Sequence, residues 1–255
     1  MVEIKTKGEV QAIRAAGKVV AEALSAVRAH AAPGMPVTEL DEVARSVLAR
    51  AGATSPFLGY KPPFAPVPFP AVICASLNDA ALHGIPSRRC LATGDLISVD
   101  FGATLDGWVA DAAISFTIGP PSPDDARLIA ATSTALRAGI AASVPGARIG
   151  DVSAAIGAVG RRAGYGLNTD FGGHGVGRSM HEPPSVPNEG PPGRGLRLSP
   201  GLVMAIEPWF MAGGSDKYQI DDDGWTIRSG DGSRAAHVEH TIAVTADGPE
   251  VLTAP

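Results

Sequence analysis

A set of local signals occurs twice along this chain, and that repetition limits the folds open to it more than any other feature. Pro33-Gly34 returns as Pro145-Gly146, Val37 as Ile149, Glu39 as Asp151, Leu40 as Val152 and Ala51-Gly52 as Ala163-Gly164, each pair separated by 112 residues. Pro-Gly after a helix is common stop chemistry, but correspondences held in one register point to an internal duplication. In the first copy a helical pattern runs from Lys7 to His30, with Val10, Ile13, Ala16, Gly17, Val20 and Leu24 near one face. A second helix is expected from an N-cap at Thr38, with Asp41 supplying acid to the first turn, as far as Ala51-Gly52. The second copy places helices from Asp124 to Ser143 and from Ile149 to Ala163. Strand-like segments follow each pair: AVICASL, LISVDFGA and WVADAAISFTI, then GLVMAIEPWF and AAHVEHTIAVT. The expected fold is α+β, a curved antiparallel sheet backed by two pairs of helices with an internal pseudo-twofold. Residues 1–255 form one domain in this reading, with halves of about 7–120 and 124–250 and a cleft between them.

Composition serves mainly to exclude. At 255 residues, 45% of them hydrophobic, the chain can bury a full core. Its net charge of -5, and the want of any Lys/Arg cluster interleaved with aromatics, argue against nucleic acid as a partner. Charges are scattered through MVEIKTKGEVQAIRAAG, so no signal peptide is expected, and no run approaches the roughly 18 apolar residues of a membrane span. Cys74 and Cys90 match neither a disulfide framework nor a zinc motif and read as reduced thiols, which makes the cytoplasm the expected compartment.

The chemistry-bearing residues stand where local structure does not want them. Asp100, Asp111, Glu207 and Glu239 interrupt apolar strands, and a buried carboxylate without a cationic partner is costly. Asp100 and Asp111 flank Asp106-Gly107, a strong hairpin signal. With those two residues as the loop, Asp111 opposes Gly102 and Asp100 is its diagonal neighbour on the same face. A loop at Leu105-Asp106 makes the acids directly opposed, and only a three-residue loop sends them to opposite faces. The stretch GGHGVGRSMHEPP adds two histidines, His174 and His181, on a glycine- and proline-shaped backbone that suits neither helix nor strand and could aim both at one cavity. Few Lys or Arg lie near these acids. Oxygen-rich ligands with one imidazole suit Mn, Fe(II), Co or Zn, and four carboxylates carry more charge than one divalent ion neutralises. A carboxylate-bridged pair of ions balances such a site.

Taken together, LHGIP around His83, VDFGATLDGWVAD, GGHGVGRSMHEPP, MAIEPW and DGWTI followed by AHVEHT resemble the type I methionine aminopeptidases, single-domain members of the pita-bread metallopeptidases. The resemblance covers nearly the whole chain. It implies five ligands for two divalent ions: Asp111 and Glu239 bridging, Asp100 completing one ion, His174 and Glu207 the other. The ions would be Co, Mn, Fe(II) or Zn, with a monovalent cation as a further expected ligand. It implies removal of N-terminal methionine, before a small second residue, by a hydroxide bridging the two ions. His83 and His181 would contact the substrate, and Glu207 would shuttle the proton. Expected partners are peptide or nascent-chain N-termini, with a transient ribosome contact and no membrane, and the expected state is a monomer. No N-terminal zinc or proline-rich arm is read, so ribosome docking through such an arm is not expected.

By position, Phe57, Tyr60, Phe69, Cys74, Met180 and Trp225 would line the methionine pocket. The chain departs from the family at GYKPPFAPVPFP, which is about five residues longer and rich in proline, either a stiff surface loop or a pocket wall. It departs again at Ala205, where a threonine is frequent and a supporting hydrogen bond would be lost. Prolidases and aminopeptidases P share the five ligands but usually carry an additional N-terminal domain. A pita-bread binding protein without catalysis would lack ligands, and none is missing. A secondary enzyme with a specialised substrate is the third alternative.

Overall fold

The computed structural model describes residues 2–254. In chain order the elements are helices α1 (Lys7–His30) and α2 (Val37–Ala51), then strands β1 (Ile73–Leu77), β2 (Ala80–Leu82), β3 (Leu96–Leu105) and β4 (Trp108–Thr117). Helices α3 (Pro123–Ala142) and α4 (Ile149–Ala163) follow, then β5 (Gly173–Gly175), β6 (Glu182–Val186), β7 (Val203–Ile206) and β8 (Trp209–Met211). The chain ends through β9 (Tyr218–Ile220), β10 (Ile227–Ser229), β11 (Ala235–His237), β12 (Glu239–Thr245) and β13 (Gly248–Val251).

The duplication is visible in the backbone. Helices α2 and α4 each end on a left-handed glycine, Gly52 and Gly164, and each is preceded by a turn glycine of positive φ, Gly34 and Gly146. Each also enters through a one-residue antiparallel bridge, Pro36 to Cys90 and Arg148 to Arg197. That bridge corrects the expected Thr38 cap. The N-cap is Pro36, and the first helical N–H groups are satisfied by the returning chain, Val37 donating to Arg89 O at 3.0 Å and Thr38 to Ser87 O at 3.1 Å. Asp41 is corrected too: it is buried, and Oδ1 accepts from the N–H groups of Val72 (2.7 Å) and Ile73 (3.2 Å), tying α2 to the start of β1. Helix α1 follows the sequence reading, with a Thr6/Glu9 capping box and all six named face residues buried. Helix α3 is capped by Ser122 and begins one residue before Asp124.

The main sheet has eight antiparallel strands in the order β1-β3-β4-β12-β7-β5-β6, with β13 alongside β12. Two expected strands are each broken in two. Glu207-Pro208 divides GLVMAIEPWF into β7 and β8, since proline offers no ladder donor, and Val238 divides AAHVEHTIAVT into β11 and β12. Strands β8 and β11 pair with each other, and β2, β10 and β9 form a further small sheet. One core lies between α1, α2 and the β1–β3–β4 region, with Ile13, Val20, Leu40 and Phe101 fully enclosed; the other lies under α3 and α4, around Leu128, Ile156, Met204 and Ile206. Helix α1 approaches the chain leaving β13 so closely that a Cβ at Gly17 would overlap the Leu252 carbonyl. Among the described residues no helix is long and apolar enough to cross a membrane.

Candidate metal centre

Register brings the acids together. Asp106 and Gly107 both have positive φ, as a two-residue type I′ turn requires, and the resulting hairpin sets Gly102 opposite Asp111 and Asp100 opposite Ala113. Of the three loops weighed from the sequence, this is the Asp106-Gly107 one. Ala113 also pairs with Glu239 of β12, so Asp100, Ala113 and Glu239 form one row across three strands, with Asp111 two residues away on the same face. His174 comes from β5, where Gly173 lets the strand lie against β7: a Cβ there would overlap the Ala205 carbonyl. Glu207 occupies the break between β7 and β8, with its carbonyl held by the buried Asn188 side chain at 3.2 Å.

Ligand atoms of Asp111, His174 and Glu239 lie within 4.8 Å of one another, and so do those of Glu207, His237 and Glu239. His174 Nε2 is 3.6 Å from Asp111 Oδ2 and 3.7 Å from Glu207 Oε1. Its orientation is fixed by Nδ1, 3.0 Å from the Gly175 carbonyl, an arrangement typical of metal-ligating imidazoles. The Thr241 hydroxyl supports Asp111, 3.0 Å from Oδ1 and 2.8 Å from the backbone oxygen. Thr241 pairs with Ala205, so a hydroxyl stands here although Ala205 has none.

The electrostatics call for a cation. Burial first, then the charges of neighbouring acids, push Asp100 and Glu239 well above the usual carboxylate range. Burial also raises Asp111, against the pull of His174. For Glu207 burial acts upward but is outweighed by the facing His237 and His174, leaving it below its ordinary value. Asp100 Oδ1 and Glu239 Oε1 are buried and make no hydrogen bond within the protein. Acidic oxygens converging without a lysine or arginine among them fit divalent cations.

The centre forms one end of a cavity of 340 Å³ that also receives His83, His181, Phe57, Tyr60, Phe69, Cys74, Met180 and Trp225. Every site residue expected from the sequence therefore faces one space. Phe57, Phe69, Cys74 and Trp225 are buried together, with Tyr60 and Met180 packed against them. His174 and His181, seven positions apart, have ring centroids 4.2 Å apart, because the chain folds back between β5 and β6. Burial lowers His83 to about 4, so it is neutral at pH 7. His181 is lowered as well, by burial in the cleft and then by His174, though its exposed edge at the mouth limits how far water is excluded. Several residues around the site are not marked by the sequence, His237, Phe64 and Phe171 among them. His237, 2% exposed, brings Nε2 to 3.6 Å from Glu207; its spacing two before Glu239 is the signal that could have found it. Phe64 lines the cavity from the proline-rich stretch already marked as a departure, and Phe171 does so from a loop that carries no such signal.

The model of metallopeptidase family M24 matches residues 11–246. A methionine aminopeptidase 1 of Mycobacterium tuberculosis is 52% identical, over 98% of this chain and 94% of the relative. A methionine aminopeptidase of Aquifex aeolicus is 41% identical, over 99% and 98%. The crystal structure of methionine aminopeptidase from Thermotoga maritima superposes with a TM-score of 0.95 at 36% identity, covering 100% of both chains.

Proposed function

This chain belongs to metallopeptidase family M24, and from that premise we propose that it is a methionine aminopeptidase, releasing the first methionine of peptides and nascent chains whose second residue is small. The observation that carries this is the juxtaposition of Asp111, His174 and Glu239 with an apolar, aromatic-walled recess in a single cavity. Asp111, Glu239, His174, Asp100 and Glu207 would hold two divalent ions. When bound, such ions supply a Lewis acid for the first peptide carbonyl and a water acidic enough to act near neutral pH.

The remaining work falls to the chain's own groups. Phe57, Phe69, Cys74 and Trp225 enclose the methionine side chain, an unbranched, polarizable group whose burial contributes about 1.5 to 3 kcal/mol. Glu207, a carboxylate lining the cavity, would take a proton and pass it to the leaving amine. Neutral His83 and His181 would hydrogen-bond the reacting carbonyl and nitrogen, and His83 Nδ1 has no partner within the protein. The catalytic unit is taken as residues 1–255, since Asp100 and Asp111 come from one half and His174, Glu207 and Glu239 from the other. The proposed setting is the cytoplasm.

The test uses protein stripped of metal and reloaded with one ion at a time, counting bound ions and following release from Met-Ala-Ser, Met-Lys-Ser and Leu-Ala-Ser. Cleavage of Met-Ala-Ser that depends on added ion is expected. Full activity without metal, preference for the leucyl peptide, or a demand for proline in second position would overturn the reading.

A further inference from the structure

Phe64, Thr169, Asp170, His181 and Ser185 are the exposed residues among those lining the cavity, so they ring its mouth, and the peptide beyond the cleaved bond must leave past them. Phe64 is the one large apolar side chain in that ring. It is 47% exposed, yet it is well anchored. Its ring stands edge-on to Trp225 at 5.6 Å and to Phe171 at 5.9 Å, and lies nearly parallel to His83, at 6.3 Å and 16°.

The segment carrying Phe64 is the proline-rich stretch 61–70, and it is fastened through Pro66, Val67 and Phe69. Phe69 N–H donates to Tyr60 O at 2.8 Å, Gly59 N–H to Phe69 O at 2.9 Å, and the Trp225 indole N–H to Val67 O at 2.9 Å. Pro66 rests on Gly224, where φ is +74° and a Cβ would overlap the proline ring. Pro62, Pro63, Pro66, Pro68 and Pro70 restrict φ through the stretch, so the loop is a stiff wall with little freedom to swing aside.

We propose that Phe64 determines specificity for the second residue of the peptide, as an aromatic wall beside His83 that a bulky side chain meets on its way out. This rests on the reading of the cavity as the seat of methionine removal and assigns to one side chain the size limit contained in that reading. A small second residue passes between Phe64 and His181, whereas a branched or long one displaces a ring packed on three others. Steric exclusion by a fixed wall discriminates without any attractive contact to the preferred substrate.

The experiment compares kcat/KM for Met-Ala-Ser and Met-Leu-Ser in the wild type, Phe64→Ala, Phe64→Leu and Phe64→Trp, all loaded with the same ion. Phe64→Ala is expected to raise the Met-Leu-Ser to Met-Ala-Ser ratio by roughly tenfold or more, Phe64→Leu by less, and Phe64→Trp to lower it. A purely structural role would change both peptides alike and leave the ratio fixed, and that result overturns the proposal. If Phe64→Ala fails to fold, the Leu and Trp variants decide: ratios that do not move in opposite directions overturn it. Absence of release from Met-Ala-Ser by the wild type would instead overturn the underlying reading, and the wall with it.

Discussion

His174 and His181 stand close together in the cleft, yet they face different chemistry. His174 is buried, pinned through Nδ1 and aimed by Nε2 at Asp111 and Glu207, whereas His181 stacks on Tyr60 at 5.4 Å and stands at the mouth. Replacing His174 with Ala should lower ion affinity by more than the roughly 10- to 100-fold that loss of an outer partner costs. His181→Ala should keep its ion content and lose roughly 100- to 1,000-fold in kcat, as expected for a contact made to the reacting group. Elemental analysis of both variants beside their kcat values separates the roles; equal loss of ion would show them to be wrongly divided. His237 belongs with this pair at the residue scale, since its unpartnered Nε2 faces Glu207 and Glu239.

Among the elements, β5 is the shortest of those carrying a proposed ligand and the one most dependent on a glycine. Its backbone at Gly173 meets β7 directly, so Gly173→Ala must part the two strands or shift His174. Overpacking of this kind costs typically about 1 to 3 kcal/mol, and the loss should appear both in thermal stability and in ion affinity. Gly8 gives the contrast. It lies in the first turn of α1, exposed and with open space where a Cβ would go, so Gly8→Ala should raise Tm by about 1 to 4 °C with ion affinity unchanged. Should Gly173→Ala bind ion as tightly as the wild type, the close approach of β5 to β7 is not what aims His174.

For the molecule as a whole, ion binding and folding are linked because the centre draws on both halves. The ion-free protein carries the burial and mutual repulsion of Asp100, Asp111 and Glu239, offset only in part by His174 and Thr241 beside Asp111. Mn, Co or Fe(II) should therefore raise Tm in a concentration-dependent way, and chelation should lower it while abolishing turnover. Asp100→Asn should reverse sign with loading, more stable than the wild type without ion and less stable with it. A second global term lies away from the cavity. Arg161 of α4 reaches Glu189 at 2.7 Å and Asp216 at 2.6 Å, and its hydrogen bonds hold both carboxyls below their ordinary values. A lowered folded pKa contributes stability above the unfolded value of about 4, and that contribution disappears as pH falls through the folded value. Arg161→Ala should thus melt below the wild type at pH 7, with the two curves converging toward about pH 3; a constant gap in Tm would contradict this. All three side chains are part-exposed, so the effect should be small and weaken with added salt.

The sequence by itself determined the features carried by local pattern. The helix boundaries of α1 and α4, the repeated register and a hairpin near Asp106-Gly107 all follow from neighbours within a few residues, while which of the three possible loops closes it, and so the relation of Asp111 to Asp100, was set by the strand register. Resemblance of short motifs was enough to name the acids and histidines that share the cavity. What only the tertiary structure decided depends on groups far apart in the chain. Ala113 lies between Asp100 and Glu239 because β12 pairs with β4, a contact across more than a hundred residues that no local periodicity specifies. Thr38 looked like a cap and Asp41 like a helix-dipole charge, but the chain at Ser87 and Arg89 satisfies the first N–H groups and β1 claims the carboxylate. The strand breaks at Pro208 and Val238, the placing of His237 and the folding of Phe64 onto His83 are of the same kind. Each is settled by which backbone donors and apolar faces meet in three dimensions, and side-chain type alone does not encode that.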